Sequence, residues 1–360
     1  MPIDSSKLRA LRKHLLAWFA EHRRDLPWRA AEGEAGDAYH IFLSEIMLQQ
    51  TQVATVIAYF HRFIEAFPTI EALAAAEEQR VLRLWQGLGY YRRARNLHAA
   101  ARMIVTDHGG VVPRDVKTLL TLPGIGRYTA GAIASIAYGT QAPLVDGNVM
   151  RVLARWFAIE EAIDAPATIK KLWALAEELV PVKQAGDFNQ AMMELGSLVC
   201  TPRGPSCLVC PVRELCDAAT GGKVERIPVK KSRTKPRAVT HHIVAVARDD
   251  GAFLFQQRPS EGLWSNLWQL PTCESFEGEV DAKSISKWVR EVLGLTVNEP
   301  REVEQFSHQT THRTITFVVW RMKVKSVKAK RESGEWRKVD AVDDLPLANP
   351  QRRAVEMLNT

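Results

Sequence analysis

The 360-residue sequence predicts an all-α domain followed by a smaller α+β domain. Up to about residue 217, apolar residues recur at the helical spacing of three to four positions. From about residue 238 the chain changes to short β-branched and aromatic runs, with one helical stretch at 284–294. Lysine and arginine number 48 against 41 acidic residues, a net charge of +7, which favours an anionic partner without requiring one.

The individual elements follow from the same patterns. Leu8, Leu11, Leu15 and Phe19 predict an amphipathic N-terminal helix. Further helical segments are predicted over 44–63, 70–85, 96–110 and 168–180. In the second half, strands are predicted over 241–248, 252–258 and 313–324.

A basic segment separates the two halves. From Lys223 to Arg237 it holds seven basic residues and one acidic residue, with two prolines. This composition predicts an extended linker over 218–237, either a solvated tether or a strap that contacts phosphates. We therefore expect domains over 1–217 and 238–360.

No segment reaches the roughly 20 apolar residues of a membrane span, and the N-terminus lacks a signal-peptide core. The protein is expected in the cytoplasm, associated with the nucleoid if the source is bacterial. Thiols stay reduced there, so the five cysteines are expected as ligands or core residues. Nothing in the sequence indicates a dimer seam, which makes a monomer the expectation.

Four cysteines form the pattern C-x6-C-x2-C-x5-C within 17 residues, and they can converge on one metal centre: Cys200, Cys207, Cys210 and Cys216. Zinc and a four-iron cluster both accept four thiolates. Zinc fingers usually pair two C-x2-4-C knuckles, whereas this loop has one C-x2-C flanked by single cysteines. Cys273 lies far away and is predicted to be a buried thiol.

A glycine turn, "LPGIGRYTAGAI", begins at Leu122 and precedes an alanine-rich helix. Gly124 and Gly126 would let backbone amides approach a phosphate at the N-terminus of that helix, although such turns are also common structural punctuation. Asp146 or Asn148 would equally serve as the N-cap of a helix over 149–156.

The glycine hairpin, the aspartate and the cysteine loop, in this order, resemble the helix-hairpin-helix DNA glycosylases of the endonuclease III superfamily over residues 20–217. Within that superfamily the chain is most similar to the MutY family, the adenine DNA glycosylases. The blocks that carry this resemblance are DLPWR (25–29), SEIMLQQT (44–51), GLGYYRRARNL (87–97), VDGNVMRVLAR (145–155) and FNQAMMELG (188–196). The resemblance implies one 4Fe-4S cluster on the four cysteines.

Tyr128 stands where bifunctional members of the superfamily carry a catalytic lysine. Without that amine no Schiff base forms there, so the resemblance implies hydrolysis by water with the DNA strand left intact. The reaction implied is removal of adenine opposite 8-oxoguanine or guanine in duplex DNA, which initiates base excision repair.

The chemistry requires an acid that protonates the departing base and an anion that faces the developing sugar cation. Glu45 is the predicted acid, because Phe42, Ile46 and Met47 around it would raise its pKa; an exposed helix glutamate is the alternative. Asp146 is the predicted anion, kept ionised by nearby backbone amides. Tyr128 and Asn148 resemble family residues that orient Asp146 and the sugar.

The target base must be flipped out of the duplex. By resemblance, Gln50, with Thr51 beside it, faces the opposite base, and Tyr90 enters the stack unless it merely packs at a helix end. The flipped adenine would be bound by Arg24, Trp28, Arg29 and Gln190, the last standing where the family often has glutamate. Leu122, Gly124 and Gly126 would contact the DNA backbone. The loop over 30–38 is longer than usual for the family.

The second domain resembles a Nudix domain. Arg290 and Glu291 are followed by VLGLTV, so the paired glutamates that hold magnesium in Nudix pyrophosphatases are absent. The resemblance instead implies a reader of 8-oxoguanine through Phe306, Ser307 and His308, although His308 is compatible with an ordinary surface histidine.

Three rival functions are weighed against this one. A lyase acting on thymine glycol or abasic sites is disfavoured by Tyr128 and by the Nudix-like tail. A non-catalytic DNA-binding protein would lack Glu45 or Asp146, and both are present. A nucleotide pyrophosphatase is disfavoured by the incomplete magnesium box.

Overall fold

The computed structural model describes residues 3–29, 36–230, 236–274, 280–327 and 334–358. Most of the long 30–38 loop and residues 231–235 of the basic segment therefore lie outside the described residues. The chain divides into two compact units. Met1–Ala75 and Asn96–Arg233 form the helical unit, whereas Ala76–Arg95 and Thr234–Thr360 form the sheet unit.

The helices that precede the basic segment confirm the all-α prediction. They are α1 (Ser5–His22), α2 (Ala38–Leu48), α3 (Val53–Ala66), α4 (Ile70–Ala74), α5 (Glu78–Trp85), α6 (Arg92–His108), α7 (Val116–Leu119), α8 (Arg127–Tyr138), α9 (Gly147–Trp156), α10 (Pro166–Leu179), α11 (Ala185–Glu194) and α12 (Asp217–Thr220). A π-helical turn, Leu195–Val199, extends α11. Of these helices, α5 and the first turn of α6 belong to the sheet unit.

The core of the helical unit gathers side chains from distant parts of the sequence. Leu11, Leu15 and Phe19 of α1 are buried, as their spacing predicts. They join Leu153 and Trp156 of α9 in one apolar cluster, to which α10, α11 and α12 also contribute. This packing holds the two ends of the helical unit together and fixes the elements that carry the polar residues described below.

Two predicted helical segments are interrupted in the structure. Residues 44–63 form the end of α2 and the start of α3, with a break at 49–52 where Gln50 has φ +58°. Residues 70–85 form α4 and α5, with a break at 75–77. Neither break contains the glycine or proline that usually ends a helix, so the sequence signals did not reveal them.

The glycine turn joins α7 to α8 as a helix-hairpin-helix motif. Gly124 has φ +77°, and a Cβ at this position would lie 2.6 Å from the Cβ of Asn96. A larger residue would therefore meet both backbone strain and a steric clash. The turn ends at Gly126, from which α8 begins without a side-chain cap.

The first half of the basic segment packs on the helical unit. Ile227 is buried, and its carbonyl accepts a hydrogen bond from Arg155 Nε at 2.8 Å. Val229 accepts another from the Ile163 amide, and Lys223 pairs with Glu160 at 2.6 Å. Residues 223–229 are therefore anchored along the surface of this unit.

The sheet unit is built on a mixed eight-stranded sheet. Its strands are β1 (Arg237–Ala247), β2 (Phe253–Gln257), β3 (Trp268–Gln269), β4 (Thr272–Cys273), β5 (Leu295–Val297), β6 (Arg301–Gln309), β7 (Arg313–Val327) and β8 (Glu335–Arg337). The main path is β3-β2-β1-β7-β5, with β4 on β1, β6 on β7 and β8 on β2. The central pair β1 and β7 is parallel, with Ile243 opposite Val319, and the other strand pairs are antiparallel.

Helices cover both faces of this sheet. Residues 243, 245 and 247 of β1 face one core, which includes α14 (Asn349–Leu358). Residues 244 and 246 face the other core, which includes α13 (Ala282–Trp288) and the π-helical turn Val289–Leu293. Burial on both faces explains why the β1 sequence is almost continuously apolar.

Residues 76–95 are hydrogen-bonded within the sheet unit although Asn96–Arg233, a segment of the helical unit, separates them from the rest of it in the sequence. The buried Tyr91 hydroxyl donates to the Leu347 carbonyl at 3.1 Å. Asn266 Nδ2 donates to Glu78 at 2.7 Å, and Arg95 donates to the Ser260 carbonyl at 3.1 Å. Over the described residues, none of the helices combines the length and apolar character that crossing a membrane requires.

Candidate active site

A cavity of about 180 Å³ in the helical unit contains most of the predicted catalytic and base-binding residues. Its wall is formed by the loop before α2, the end of α2, the start of α8, the N-terminus of α9 and the end of α11. The predicted residues that it brings together are Arg24, Trp28, Arg29, Glu45, Thr51, Tyr128, Asp146, Asn148 and Gln190. They span 167 positions of the chain, so the fold assembles the site.

Glu45 lies on α2 with 4% of its surface exposed. Burial raises the pKa of this carboxyl to about 7, and the nearby charge of Asp146 adds to the increase. The Tyr128 hydroxyl, which donates to Glu45 Oε2 at 2.9 Å, and the charge of Arg29 oppose it. The raised pKa agrees with the apolar neighbours seen in the sequence, and it lets Glu45 carry a proton near neutral pH.

Asp146 is the N-cap of α9, which confirms the first of the two capping alternatives. Its Oδ1 accepts from the Val149 amide at 2.7 Å, and its Oδ2 accepts from Asn148 Nδ2 at 3.0 Å. Burial nevertheless raises the pKa of Asp146 above its ordinary value, against the effect of these bonds and of Arg151. The backbone amides readable from the sequence account for only one side of this balance, since the opposing effect of burial depends on the tertiary packing.

Glu194 is a third buried carboxylate at the cavity, and the sequence analysis did not select it. It ends α11 with 1% of its side chain exposed. Its Oε1 pairs with Arg29 Nη1 at 2.6 Å and accepts from Arg24 Nε at 3.2 Å, while Oε2 accepts from the Arg24 amide at 3.3 Å. A carboxylate among apolar residues in "AMMELG" was the available signal, because a buried charge requires a partner.

Arg151 of α9 was also missed. Its Nη2 donates to Asn148 Oδ1 at 2.9 Å and to the Gly196 carbonyl at 2.6 Å, and its Nε donates to the Cys200 carbonyl at 2.7 Å. Asn148 is thus oriented from one side by Arg151 and itself donates to Asp146. The sequence signal for these contacts was an arginine between apolar residues of a predicted helix. An arginine on a buried helix face requires polar partners, which its long side chain must reach.

The four cysteines of the predicted metal site line one cavity together with Arg155 and Arg213. Burial raises the pKa of Cys210 to about 11, and the proximity of the other three thiols adds to the increase. Arg155 Nη1 lies 3.3 Å from Cys200 Sγ. In the described part of the chain, no three His, Cys, Asp or Glu side chains are arranged around a single metal ion.

This donor set fits a metal centre held by four thiolates. All four cysteines line the same cavity, and an arginine lies beside one of the sulfurs. Cys273 is buried in β4, as predicted.

The predicted DNA-contacting residues outside the cavity lie in several settings. Gln50 is exposed and keeps a left-handed backbone, which for a residue other than glycine stores strain and often marks a functional position. Gly124 and Gly126 form the exposed hairpin turn, whereas the Leu122 side chain is buried and only its backbone faces that turn. Leu122 therefore anchors the hairpin through its side chain.

Tyr90 lies in the sheet unit, with 50% exposure and φ +50°. Its hydroxyl is 3.3 Å from Thr311 Oγ1, in the turn between β6 and β7. Arg93 donates to the Leu88 and Gly89 carbonyls at 3.2 and 3.1 Å, and its guanidinium lies over the Tyr90 ring. Tyr90 is therefore held in a strained turn with half of its surface exposed. The alternative, simple packing at a helix end, would not require this strain.

The three predicted lesion-reading residues lie on β6 and alternate in exposure. Phe306 is buried and stacks on Phe317, with ring centroids 5.3 Å apart. Ser307 is exposed. His308 is half-buried beside Trp264, and burial lowers its pKa. Of the three, Ser307 presents the most accessible polar side chain, and Phe306 supports the strand from the core.

Comparison with known proteins agrees with this geometry. The model of the HhH-GPD superfamily base excision DNA repair proteins matches residues 43–178, and that of the NUDIX domain matches residues 242–357. The chain is 37% identical over 372 residues to the adenine DNA glycosylase of Homo sapiens, covering 88% of this chain and 67% of that protein. It is 34% identical over 300 residues to that of Buchnera aphidicola subsp. Acyrthosiphon pisum, covering 83% and 82%.

Two solved structures match the helical unit. A thermostable thymine-DNA glycosylase has a TM-score of 0.54 and 32% identity, covering 60% of this chain and 98% of that one. A trapped covalent complex of endonuclease III with DNA has a TM-score of 0.52 and 23% identity, covering 61% and 99%, and shows the shared fold. The all-α fold with a Nudix domain is thereby confirmed.

Proposed function

The chain belongs to the adenine DNA glycosylase family, and we propose that it hydrolyses the N-glycosidic bond of adenine paired with 8-oxoguanine or guanine in duplex DNA. The observation that carries this proposal is the cavity in which a protonatable Glu45 and a hydrogen-bonded Asp146 meet, with a tyrosine beside them and no lysine among the described lining residues. Residues 1–217 would perform the excision and residues 238–360 would read the opposite base, joined by 218–237.

Glu45 would supply the proton that makes adenine a competent leaving group. With a pKa of about 7 the side chain is protonated in a substantial fraction of molecules at neutral pH. The Tyr128 hydroxyl holds the carboxyl through Oε2, which leaves Oε1 to face the base. The ring nitrogen N7 of adenine is the basic atom that would receive the proton.

Asp146, as a carboxylate, would face the positive charge that develops on the sugar as the bond breaks. Its two oxygens are fixed by Val149 and Asn148, so little reorganisation is needed when that charge appears. Water then completes hydrolysis at the sugar carbon. No lysine lines the cavity among the described residues, which supports a reaction that leaves the strand intact.

Duplex DNA is the proposed partner, and the enzyme is proposed to act as a monomer. The endonuclease III relative with the same fold was solved bound to DNA. The strained, exposed Gln50, which Thr51 follows in the sequence, is proposed to hydrogen-bond the opposite base. Tyr90, also strained and exposed, is proposed to enter the base stack. Trp28 and Gln190 would contact the flipped base, and the 122–126 hairpin would bind a phosphate through its amides.

The second half of the chain is proposed to recognise 8-oxoguanine. Ser307 is exposed on β6, close to the β6–β7 turn whose Thr311 contacts Tyr90. A hydroxyl at this position can donate to, or accept from, the edge that distinguishes 8-oxoguanine from guanine. His308 and the buried Phe306 would hold the strand in place.

The four cysteines are proposed to hold one 4Fe-4S cluster, which would keep the 200–216 loop in a single conformation. Cys210→Ser should reduce the content of iron and acid-labile sulfide from about four of each per chain. Cys273→Ser is the matched control, because that buried thiol lies in β4 and should leave the content unchanged. Zinc in place of iron would refute the cluster.

The activity test uses purified protein under single-turnover conditions with duplexes carrying adenine opposite 8-oxoguanine, adenine opposite guanine, or thymine opposite guanine. Each sample is divided between hot alkali and no treatment. Strand cleavage only after alkali, in the adenine duplexes, is the expected result. Cleavage without alkali would show a lyase, and release of thymine alone would assign the chain the activity named for its structural relative.

A further inference from the structure

Glu194 forms the centre of a buried ion-pair triad on the wall of the adenine cavity. One oxygen pairs with Arg29 Nη1 at 2.6 Å and Arg24 Nε at 3.2 Å, and the other accepts from the Arg24 amide at 3.3 Å. Arg29 Nη1 also donates to the Arg24 carbonyl at 2.8 Å. Backbone and side chains of the loop before α2 are thus fastened to the end of α11.

The triad carries two positive charges and one negative charge; Glu194 and Arg29 are largely shielded from solvent, whereas about a third of the Arg24 side chain is exposed. Burial lowers the pKa of Arg29, and Glu194 opposes that effect by pairing with it. A buried arginine without its partner would pay a large desolvation cost and would seek another carboxylate. The cavity offers Glu45 and Asp146 as alternatives.

Arg29 already acts on Glu45 electrostatically. The charged and titratable groups that face Glu45 are Tyr128 from α8, Asp146 from the start of α9, and Arg29 from the loop before α2. Of these, Arg29 is the cation, and it opposes the protonated form of Glu45. The position of the Arg29 guanidinium therefore affects the protonation of Glu45.

We propose that Glu194 is a positioning residue for base excision: it fixes Arg24 and Arg29 against the adenine cavity and withholds Arg29 from the Glu45 carboxyl. This inference deepens the proposed function and rests on it. Glu194 touches no reacting atom and acts through Arg29. The same pairing gives Arg24 and Arg29 fixed orientations in the wall that would contact the base.

The test compares Glu194→Gln and Glu194→Asp with the wild-type protein. Excision of adenine opposite 8-oxoguanine is followed in single turnovers from pH 5.5 to 9. Glu194→Gln should slow excision about tenfold at pH 7.5. The alkaline limb of its pH–rate profile, where the rate falls as the pH rises, should shift to lower pH by about half a unit or more. Glu194→Asp keeps the charge and should retain the position of the limb. Glu160→Gln, a surface carboxylate paired with Lys223, is the matched control.

A double-mutant comparison shows whether Glu194 acts through Arg29. In an Arg29→Met background, adding Glu194→Gln should shift the alkaline limb by much less than it does in the wild type. An equal shift in both backgrounds would mean that Glu194 acts on Glu45 directly and would overturn the proposal. A lower melting temperature with an unchanged pH profile would also overturn it, because that result describes a purely structural ion pair.

A readout independent of activity separates this inference from the proposed function. The Glu45 carboxyl is titrated by ¹³C NMR in DNA-free protein that carries ¹³C-labelled glutamate. Its resonance is assigned as the one that disappears in Glu45→Gln. A lower midpoint in Glu194→Gln than in the wild type supports the positioning role even if no adenine is excised. An unchanged midpoint overturns it, whereas absence of adenine excision by the wild type would refute the proposed function alone.

Discussion

At the scale of single residues, the site depends on placing a carboxyl where water cannot stabilise its charge. Glu45 is surrounded by the apolar face of α2 and receives one strong donor, Tyr128. Asp146 is also buried, but it has a backbone amide and an amide side chain as donors. Two carboxyl groups in different surroundings can thus take different protonation states at the same pH.

Glu45→Gln should slow adenine excision by roughly 10²–10⁴-fold, because an amide has no acidic proton to give. In the wild-type protein the single-turnover rate should fall as the pH rises through about 7, since the reactive form is the protonated one. Glu65→Gln, an exposed position on α3, is the control. A rate that rises through the same pH range would argue for a deprotonated Glu45.

The same burial predicts a pH-dependent stability. The pKa of Glu45 is raised in the folded state. Its contribution to the free energy of unfolding is therefore fully present at acidic pH and is lost as the pH rises through about 7. A shift of this size corresponds to roughly 3 kcal/mol. Glu45→Gln should therefore be more stable than the wild type at pH 8.5, with the difference shrinking towards pH 5. Urea unfolding at both pH values measures it, and a difference independent of pH would contradict the assignment.

At the scale of elements, the break between α2 and α3 and the turn before α6 each hold a side chain in a backbone conformation that a regular helix does not allow. The interruption between α2 and α3 puts Gln50 at φ +58°, and the turn before α6 puts Tyr90 at φ +50°. Positive φ costs of order 1–3 kcal/mol for such residues and persists only where surrounding contacts enforce it. For Tyr90, Arg93 supplies those contacts.

Arg93→Lys should weaken binding of duplexes that contain 8-oxoguanine opposite adenine by about three- to tenfold. Lysine keeps the charge but cannot donate to both carbonyls while covering the Trp85 and Tyr90 rings. Fluorescence anisotropy with labelled DNA measures the change. Arg92→Lys is the control, because Arg92 is exposed on the same helix. Equal affinities for the two variants would show that the turn does not need Arg93.

At the scale of the whole molecule, the division into units does not follow the order of the sequence. Residues 76–95 lie between helices of the helical unit but hydrogen-bond within the sheet unit. Tyr90, a predicted DNA contact, therefore shares a unit with Ser307, a predicted lesion contact. This arrangement places the residue expected to enter the base stack and the residue expected to contact the lesion in one compact unit.

A chain truncated after residue 233 should deprive 76–95 of the hydrogen bonds that Tyr91, Glu78 and Arg95 make to Leu347, Asn266 and Ser260. That segment should then be cut by trypsin at its arginines well before the rest of the helical unit. The full-length chain should resist such cleavage, and full-length Tyr91→Phe, which loses only the hydrogen bonds of one hydroxyl, should resemble it. Resistance of the segment in the truncated chain would show that it is stable without the sheet unit.

The amino-acid sequence by itself determined the two fold classes and the main strands, which follow from local periodicity and turn chemistry. The motif residues around the cavity follow from the family resemblance, and the structure decided between Asp146 and Asn148 as the cap of α9. The interruptions of the helices at 49–52 and 75–77 were not readable, because neither stretch contains the glycine or proline that usually ends a helix.

Only the tertiary structure decided the Glu194 triad with Arg24 and Arg29, the contacts of Arg151 and the membership of 76–95 in the sheet unit. Each joins residues that are distant in sequence, and a charged side chain carries no local mark of the partner that compensates its burial. The opposing effect of burial on Asp146 has the same origin, since desolvation depends on everything that packs around a group.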